Sequence, residues 1–244
     1  MLLARLRALL ITDPLLVLAT AVMSTLSLVT SLFDSTGRAQ HAVTRRWARM
    51  LLAIAGAKVR VEGLEKISPG ASYVVASNHL SYMDIPALFA CLPVQLRFLA
   101  KKSLFWIPIL GYAMKRAGHI PVDRGDTRAS LKTLAQAARV IRERGISPLI
   151  FPEGGRSPGA MREFKEGAAY VAIKAGVPVV PVALIGTRQI LPMDSLVVRG
   201  GPVTLRVGDP IPTAGLKVHD HETLTRQLRE RVRQLMEARP PAPH

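Results

Sequence analysis

Leu149-Ile150-Phe151 is followed, after a helix-like segment at 168–175, by Val177-Pro178-Val179-Val180-Pro181-Val182-Ala183-Leu184. Both are short, continuous apolar runs set off by Gly and Pro, the pattern of strands buried on both faces. A helix between two such strands is the repeating unit of an α/β sheet, since the crossover joining parallel strands must travel back along the sheet. The two prolines in the second run lack a ladder donor, which places this strand at an edge or a wall.

The alternation continues outward. Residues 59–61, 73–76, 95–100 and 203–207 read as further strands, with a Pro69-Gly70 turn before the second. Thr127–Arg144 is the clearest helix: Leu131, Leu134, Ala138 and Ile141 mark one face, Asp126 or Thr127 caps the start and Gly145 ends it. Residues 39–56 form a basic amphipathic helix, and 104–117 a helix interrupted around Pro108 and Gly111. A terminal helix over 221–238 turns Leu224, Leu228, Val232 and Leu235 inward. The expectation is an α/β fold, a mostly parallel or mixed sheet flanked by helices. Residues 1–37 form an N-terminal membrane-anchoring helix or helix pair, 38–239 the main domain and 240–244 a disordered tail.

At 244 residues the chain is long enough for one domain with a good core. Apolar residues make up 49%, yet Lys and Arg outnumber Asp and Glu by 33 to 17, giving a net charge of +16. Such an excess favours polyanions: phosphorylated small molecules, anionic headgroups or nucleic acid. Aromatics at 5%, together with the lack of a nucleic-acid-binding motif, argue against nucleic acid. The single Cys91 excludes an intrachain disulfide and a multi-cysteine metal site, and fits a reducing compartment. Its apolar neighbours make it a buried, inert thiol.

Residues 14–33 carry no charge over 20 positions, about 30 Å of helix and close to one bilayer core. This length exceeds the apolar region of a signal peptide, and no clear cleavage site follows. One spanning helix fits. So does a pair of interfacial helices, because Ser24, Thr25, Ser27, Thr30 and Ser31 weaken the second half. Arg38, Arg45, Arg46 and Arg49 outnumber Arg5 and Arg7 on the other side, which puts the body of the protein on the cytoplasmic face of the membrane. Trp47 among these arginines suits a headgroup boundary or the core equally.

Asn78-His79-Leu80-Ser81-Tyr82-Met83-Asp84 stands where the strand at 73–76 ends. A carboxylate that accepts from imidazole Nδ1 fixes the tautomer and leaves Nε2 to take a proton. Residues five apart point away from each other on a regular helix, so His79 and Asp84 meet only if the backbone turns between them. The plainer reading makes Asp84 a helix cap and His79 a loop histidine. Gly118-His119-Ile120-Pro121-Val122-Asp123-Arg124 ends in a guanidinium suited to phosphate, or in a structural Asp–Arg contact. Phe151-Pro152-Glu153-Gly154-Gly155-Arg156-Ser157 follows a buried strand, where open α/β sheets place their ligands. There Gly154 and Gly155 admit an anion close to the backbone, Arg156 adds charge, and Glu153 can bond a hydroxyl or hold an arginine. It also reads as a simple Gly-Gly turn.

The order and spacing of the blocks at 79–84, 118–124, 151–157 and 177–182 resemble the four sequence blocks of the glycerolipid acyltransferases. The likeness is greatest to the 1-acylglycerol-3-phosphate acyltransferases of bacterial membranes and covers about residues 40–212. The resemblance implies transfer of a fatty acyl group from acyl-CoA or acyl carrier protein to a lysophospholipid hydroxyl, giving phosphatidic acid. It makes 38–239 an acyltransferase domain, His79 the base and Asp84 its partner. Arg124, Glu153 and Gly154 become the acceptor-phosphate site, with Arg156 beside them. It implies the anionic surface of the inner membrane as a partner, the thioester as a substrate, and no metal or other cofactor. The apolar run 177–182 becomes packing or, more sharply, a wall for an acyl chain. Many members carry Thr where Gly155 stands, so position 155 departs from the pattern. Other lipid hydroxyls, such as a lyso-aminolipid or glycerol-3-phosphate, are alternative acceptors. Ser81 beside His79 raises a nucleophilic serine, against which stands the lack of a Gly-x-Ser-x-Gly elbow.

Overall fold

The computed structural model describes residues 2–122, 127–157, 159–193, 195 and 197–238. Arg124, the Asp126 cap and the tail at 240–244 lie outside the described residues. Helix α1 (Leu2–Arg7) runs through a π-helical turn at Ala8–Thr12 into α2 (Asp13–Thr30), and α3 (Arg38–Ala55) follows. The chain then alternates: β1 (Ala57–Glu62), β2 (Val74–Ser77), α4 (Asp84–Cys91), β3 (Leu96–Lys101), α5 (Leu110–Arg116), β4 (Ile120–Val122) and α6 (Thr127–Arg144). It closes with β5 (Ser147–Ile150), α7 (Gly167–Ala175), β6 (Val179–Ile185), α8 (Thr187–Ile190), β7 (Gly201–Val207) and α9 (His221–Glu237).

Among the described residues, seven strands form one sheet in the order β1-β7-β6-β2-β5-β3-β4. All pairs are parallel except β6 with β7, so the sheet is mixed. Its two faces carry separate cores. Val75 of β2 and Val180, Val182 and Leu184 of β6 pack under α3 and α4. Val74, Ala76 and Val179 face α6, α7 and α9 instead, where Ala138, Ile141, Leu228 and Val232 cover them. Adjacent residues of one strand thus serve opposite cores, which is why these strands read as unbroken apolar runs.

One expectation is corrected. The run 177–182 is neither an edge nor a substrate wall: β6 lies between β7 and β2, and its residues from Val179 to Leu184 are buried. Pro181 is tolerated because its carbonyl and its donor-less nitrogen face β7, whose ladder with β6 begins only at Val182. The Pro181 carbonyl accepts from Gly208 N–H at 2.8 Å, just past that ladder's end.

The serines of α2 have a different meaning from the expected weak second half. Ser24, Ser27 and Ser31 are buried, forming a small-residue seam where α2 meets α3 and α5. Trp47 is partly buried and donates to Thr20 Oγ1 at 3.1 Å, so it belongs to this seam. The outward face of the helix is apolar, with Leu10, Val17, Leu18 and Val22 exposed. Residues Arg5–Thr30 make one helix long and apolar enough to cross a membrane.

Candidate active site

The site lies beyond the carboxyl ends of β2 and β5. Asn78 closes β2: its side-chain amide donates to Leu184 O at 2.9 Å and accepts from Leu184 N–H at 2.8 Å. This copies a ladder pair with β6 and frees the backbone to turn at His79. The turn brings His79 and Asp84 together, with Nδ1 and Oδ2 2.7 Å apart. The same Oδ2 accepts the N–H groups of Leu80 and Ser81, at 2.7 and 2.8 Å. An ionised carboxylate only accepts, so the imidazole proton sits on Nδ1 and the Nε2 lone pair is left. Nε2 makes no hydrogen bond among the described residues, and the ring keeps 7% of its surface exposed. Asp84 begins α4 without capping it by a side-chain bond; its carboxylate is turned back onto the loop.

The second loop holds the first. Phe151 stacks on the His79 ring with centroids 3.8 Å apart and planes at 13°. Glu153, buried, uses both carboxylate oxygens on backbone donors: Oε1 accepts from His79 N–H and Oε2 from Arg162 N–H, each at 2.8 Å. The His79 carbonyl in turn accepts from Ser157 N–H at 2.9 Å. Both backbone groups of His79 are therefore fixed by the loop at 151–157. The sequence marks Glu153 as a site residue, but not that its partners are main-chain groups.

Gly154 sits at φ 73°, a left-handed conformation that calls for glycine, with the flexible end of the Lys165 side chain beside it. The Arg156 guanidinium lies 3.5 Å from the centroid of the exposed Tyr82 ring, a cation–π contact between the two loops. An apolar cavity of about 200 Å³ opens beside these residues, lined by Leu99, Leu134, Ile150, Phe151, Gly154 and Lys165. Ser81 is buried; its hydroxyl donates to Leu191 O at 2.8 Å and accepts from Met83 N–H at 3.1 Å. Those bonds brace the turn and leave it poorly placed to act as a nucleophile.

Comparison with known proteins fits this geometry. The family model described as Acyltransferase matches residues 58–185. A 1-acyl-sn-glycerol-3-phosphate acyltransferase of Chlamydomonas reinhardtii is 41% identical over 184 residues, covering 74% of this chain and 54% of that protein. One of Cocos nucifera is 34% identical over 166 residues, covering 68% and 53% respectively. The chain thus spans about half the length of the curated relatives it matches. The crystal structure of the 1-acyl-sn-glycerophosphate acyltransferase PlsC from Thermotoga maritima is similar over 98% of this chain and 100% of that one. The two share 26% identity, with a TM-score of 0.83. A histidine and a carboxylate joined at the carboxyl edge of a mixed sheet, within a matched segment of this extent, leave one conclusion: the chain belongs to the acyltransferase family.

Proposed function

We propose that the protein transfers a fatty acyl group from a thioester, acyl-CoA or acyl carrier protein, to the free hydroxyl of 1-acylglycerol-3-phosphate, giving phosphatidic acid. The observation that carries this reading is the His79–Asp84 contact of 2.7 Å with the opposite ring nitrogen left unbonded among the described residues. His79 Nε2 takes the proton of the acceptor hydroxyl as that oxygen attacks the thioester carbonyl. The carbonyl is regenerated as the thiolate departs, a good leaving group because ordinary thiols have a pKa near ~8.5. No acyl-enzyme is needed, which accords with the committed hydroxyl of Ser81. Base catalysis supplies ~10²–10⁴ of the rate, and alignment of two bound substrates much of the rest.

The acceptor phosphate is read against Arg156 and the turn at Gly154 and Gly155, although the Gly154 N–H is itself given to Phe151 O at 3.0 Å; the sequence adds Arg124, which lies outside the described residues. Glu153 acts here as a holder of the His79 backbone, since both its oxygens are already engaged. The apolar outer face of α1 and α2 rests the protein on the cytoplasmic face of the inner membrane, where the lysophospholipid resides. The deciding experiment gives purified protein a labelled palmitoyl or oleoyl thioester and a panel of lyso-acceptors. Label should pass to 1-acylglycerol-3-phosphate and fail to do so with His79→Ala. Transfer to another acceptor alone would replace the substrate, and transfer by the His79→Ala protein would remove the base.

A further inference from the structure

The segment between β3 and α5 is unusually tightly built for a surface connection. After a 3₁₀ turn at Lys102–Trp106, the chain reverses at Ile109, with φ 62° and ψ −59°. Leu110 N–H closes onto Pro108 O at 2.6 Å, and Gly111 N–H onto Ile107 O at 2.7 Å. Gly111 is seated so closely on Phe105 that a Cβ would lie 2.2 Å from the Phe105 carbonyl oxygen. A β-branched residue at positive φ is strained, and such strain persists only where the surroundings enforce it. What this turn holds up to solvent is apolar: Trp106 is 77% exposed, Tyr112 61%, Ile109 49% and Ile107 43%.

We infer that residues 104–112 are a second lipid-contacting element, entering the headgroup boundary of the bilayer beside the N-terminal helix. The inference rests on the proposed action on a membrane lipid and adds a contact surface to it. Three observations choose a bilayer as the occupant. First, the segment is continuous with the apolar helix: Leu16, Val17 and Ala21 of α2 and Ile107, Pro108 and Ile109 line one open groove. Second, the two parts are tied together, because Arg116 of α5 donates to Ser31 O at 2.7 Å and to Ser31 Oγ at 3.2 Å. Third, the chemistry is interfacial. An exposed Trp and Tyr stand among aliphatic side chains, with Lys101, Lys102 and Lys115 exposed at the two ends of the segment. Amphipathic rings favour the headgroup level, and lysines favour anionic lipid. Contiguous apolar outcrops of this kind mark contact surfaces on folded proteins.

The test uses the full chain and vesicles of phosphatidylcholine and phosphatidylglycerol whose acyl chains carry bromine, a contact quencher of tryptophan. Trp47 and Trp106 are the two tryptophans, and Trp47 is partly buried against α2. Wild-type emission should be quenched on binding, and most of that quenching should vanish in Trp106→Phe although the protein still sediments with vesicles. Trp106→Ser with Ile107→Ser should weaken vesicle partitioning by roughly tenfold or more, the scale of losing buried apolar side chains. Acyl transfer to detergent-dispersed substrate should be unchanged in that variant, and this separate assay reports on the proposed reaction independently. Equal quenching in wild type and Trp106→Phe would overturn the inference. So would unchanged partitioning of the double variant, or a solution dimer that this variant dissociates, which would give the surface to a second copy.

Discussion

His79 and the pair His41 and His119 are all buried, yet their ring nitrogens meet opposite partners. His79 turns Nδ1 to a carboxylate at 2.7 Å. His41 Nε2 accepts from Leu96 N–H at 3.1 Å, and His119 Nδ1 from Phe98 N–H at 3.2 Å, so both are acceptors for the backbone of β3. Stacking does not distinguish them, since Phe151 covers His79 at 3.8 Å and Phe98 covers His119 at 4.0 Å. The nearest charge does. Burial, with the guanidinium groups of Arg97 and Arg45 adding to it, lowers His41 to about 3. Burial together with Arg97 and His41 holds His119 well below the usual imidazole value. A carboxylate beside a ring fixes its tautomer with the proton on Nδ1, whereas a main-chain donor and nearby arginines keep a ring as a neutral strut. Burial alone says little about function; the partner says more.

The largest expected effect separates these roles by substitution. His79→Ala should lower kcat per folded molecule by ~10²–10⁴, a loss far larger than the stability cost of removing its buried, stacked ring can explain. His119→Ala should do the reverse: it leaves Phe98 N–H without its acceptor, costing about 1–3 kcal/mol of stability, with kcat per folded molecule kept. Loss of turnover at full stability in the His119 variant would break the contrast. Next in size is Glu153→Gln, which can accept only one of the two backbone donors its parent holds. We expect kcat to fall by up to ~10² through misplacement of the base, with the acceptor KM little changed. A raised KM at constant kcat would return Glu153 to the acceptor site.

Acid should sharpen the comparison further. Above the ordinary imidazole value both folded and unfolded chains leave His41 neutral, so the ring contributes nothing to the pH dependence there. As pH falls from about 6.5 toward about 3, the unfolded chain binds a proton that the folded one refuses. Stability must therefore decline across that window, by about 1.4 kcal/mol per pH unit at the steepest for each such ring. Urea midpoints at pH 7 and pH 5 should show it, and a His41→Gln background should flatten the slope. The smallest effect is reserved for Ser81→Ala, which should retain most activity and lose about 1 kcal/mol of stability from the braced turn. A trapped acyl-Ser81 adduct would replace direct transfer by a two-step route.

Much of this architecture can be read along the chain. Buried parallel strands declare themselves as apolar runs because both faces are covered, and α6 declares itself by one apolar stripe. The His79–Asp84 contact is one of two readings open in the sequence, conditional on a turn between the residues, and the folded chain supplies that turn. What escaped depends on distant partners. Whether Pro181 marks an edge depends on which side its missing donor faces and where β7 ends. Whether Ser24 and Ser27 weaken a helix or fill a seam depends on α3 and α5 lying against them. Glu153 carries a charge that suggests ligand chemistry, and only the folded chain shows both oxygens on main-chain donors.

The clamp at His79 has a practical consequence for redesign. Anyone exchanging the segment after β5 to admit a different acceptor also removes the anchors of His79, because Glu153 and Ser157 grip the main chain on either side of that imidazole. Grafts that transplant Phe151, Glu153 and Ser157 as one cassette preserve the alignment; grafts that alter the segment residue by residue unmoor it.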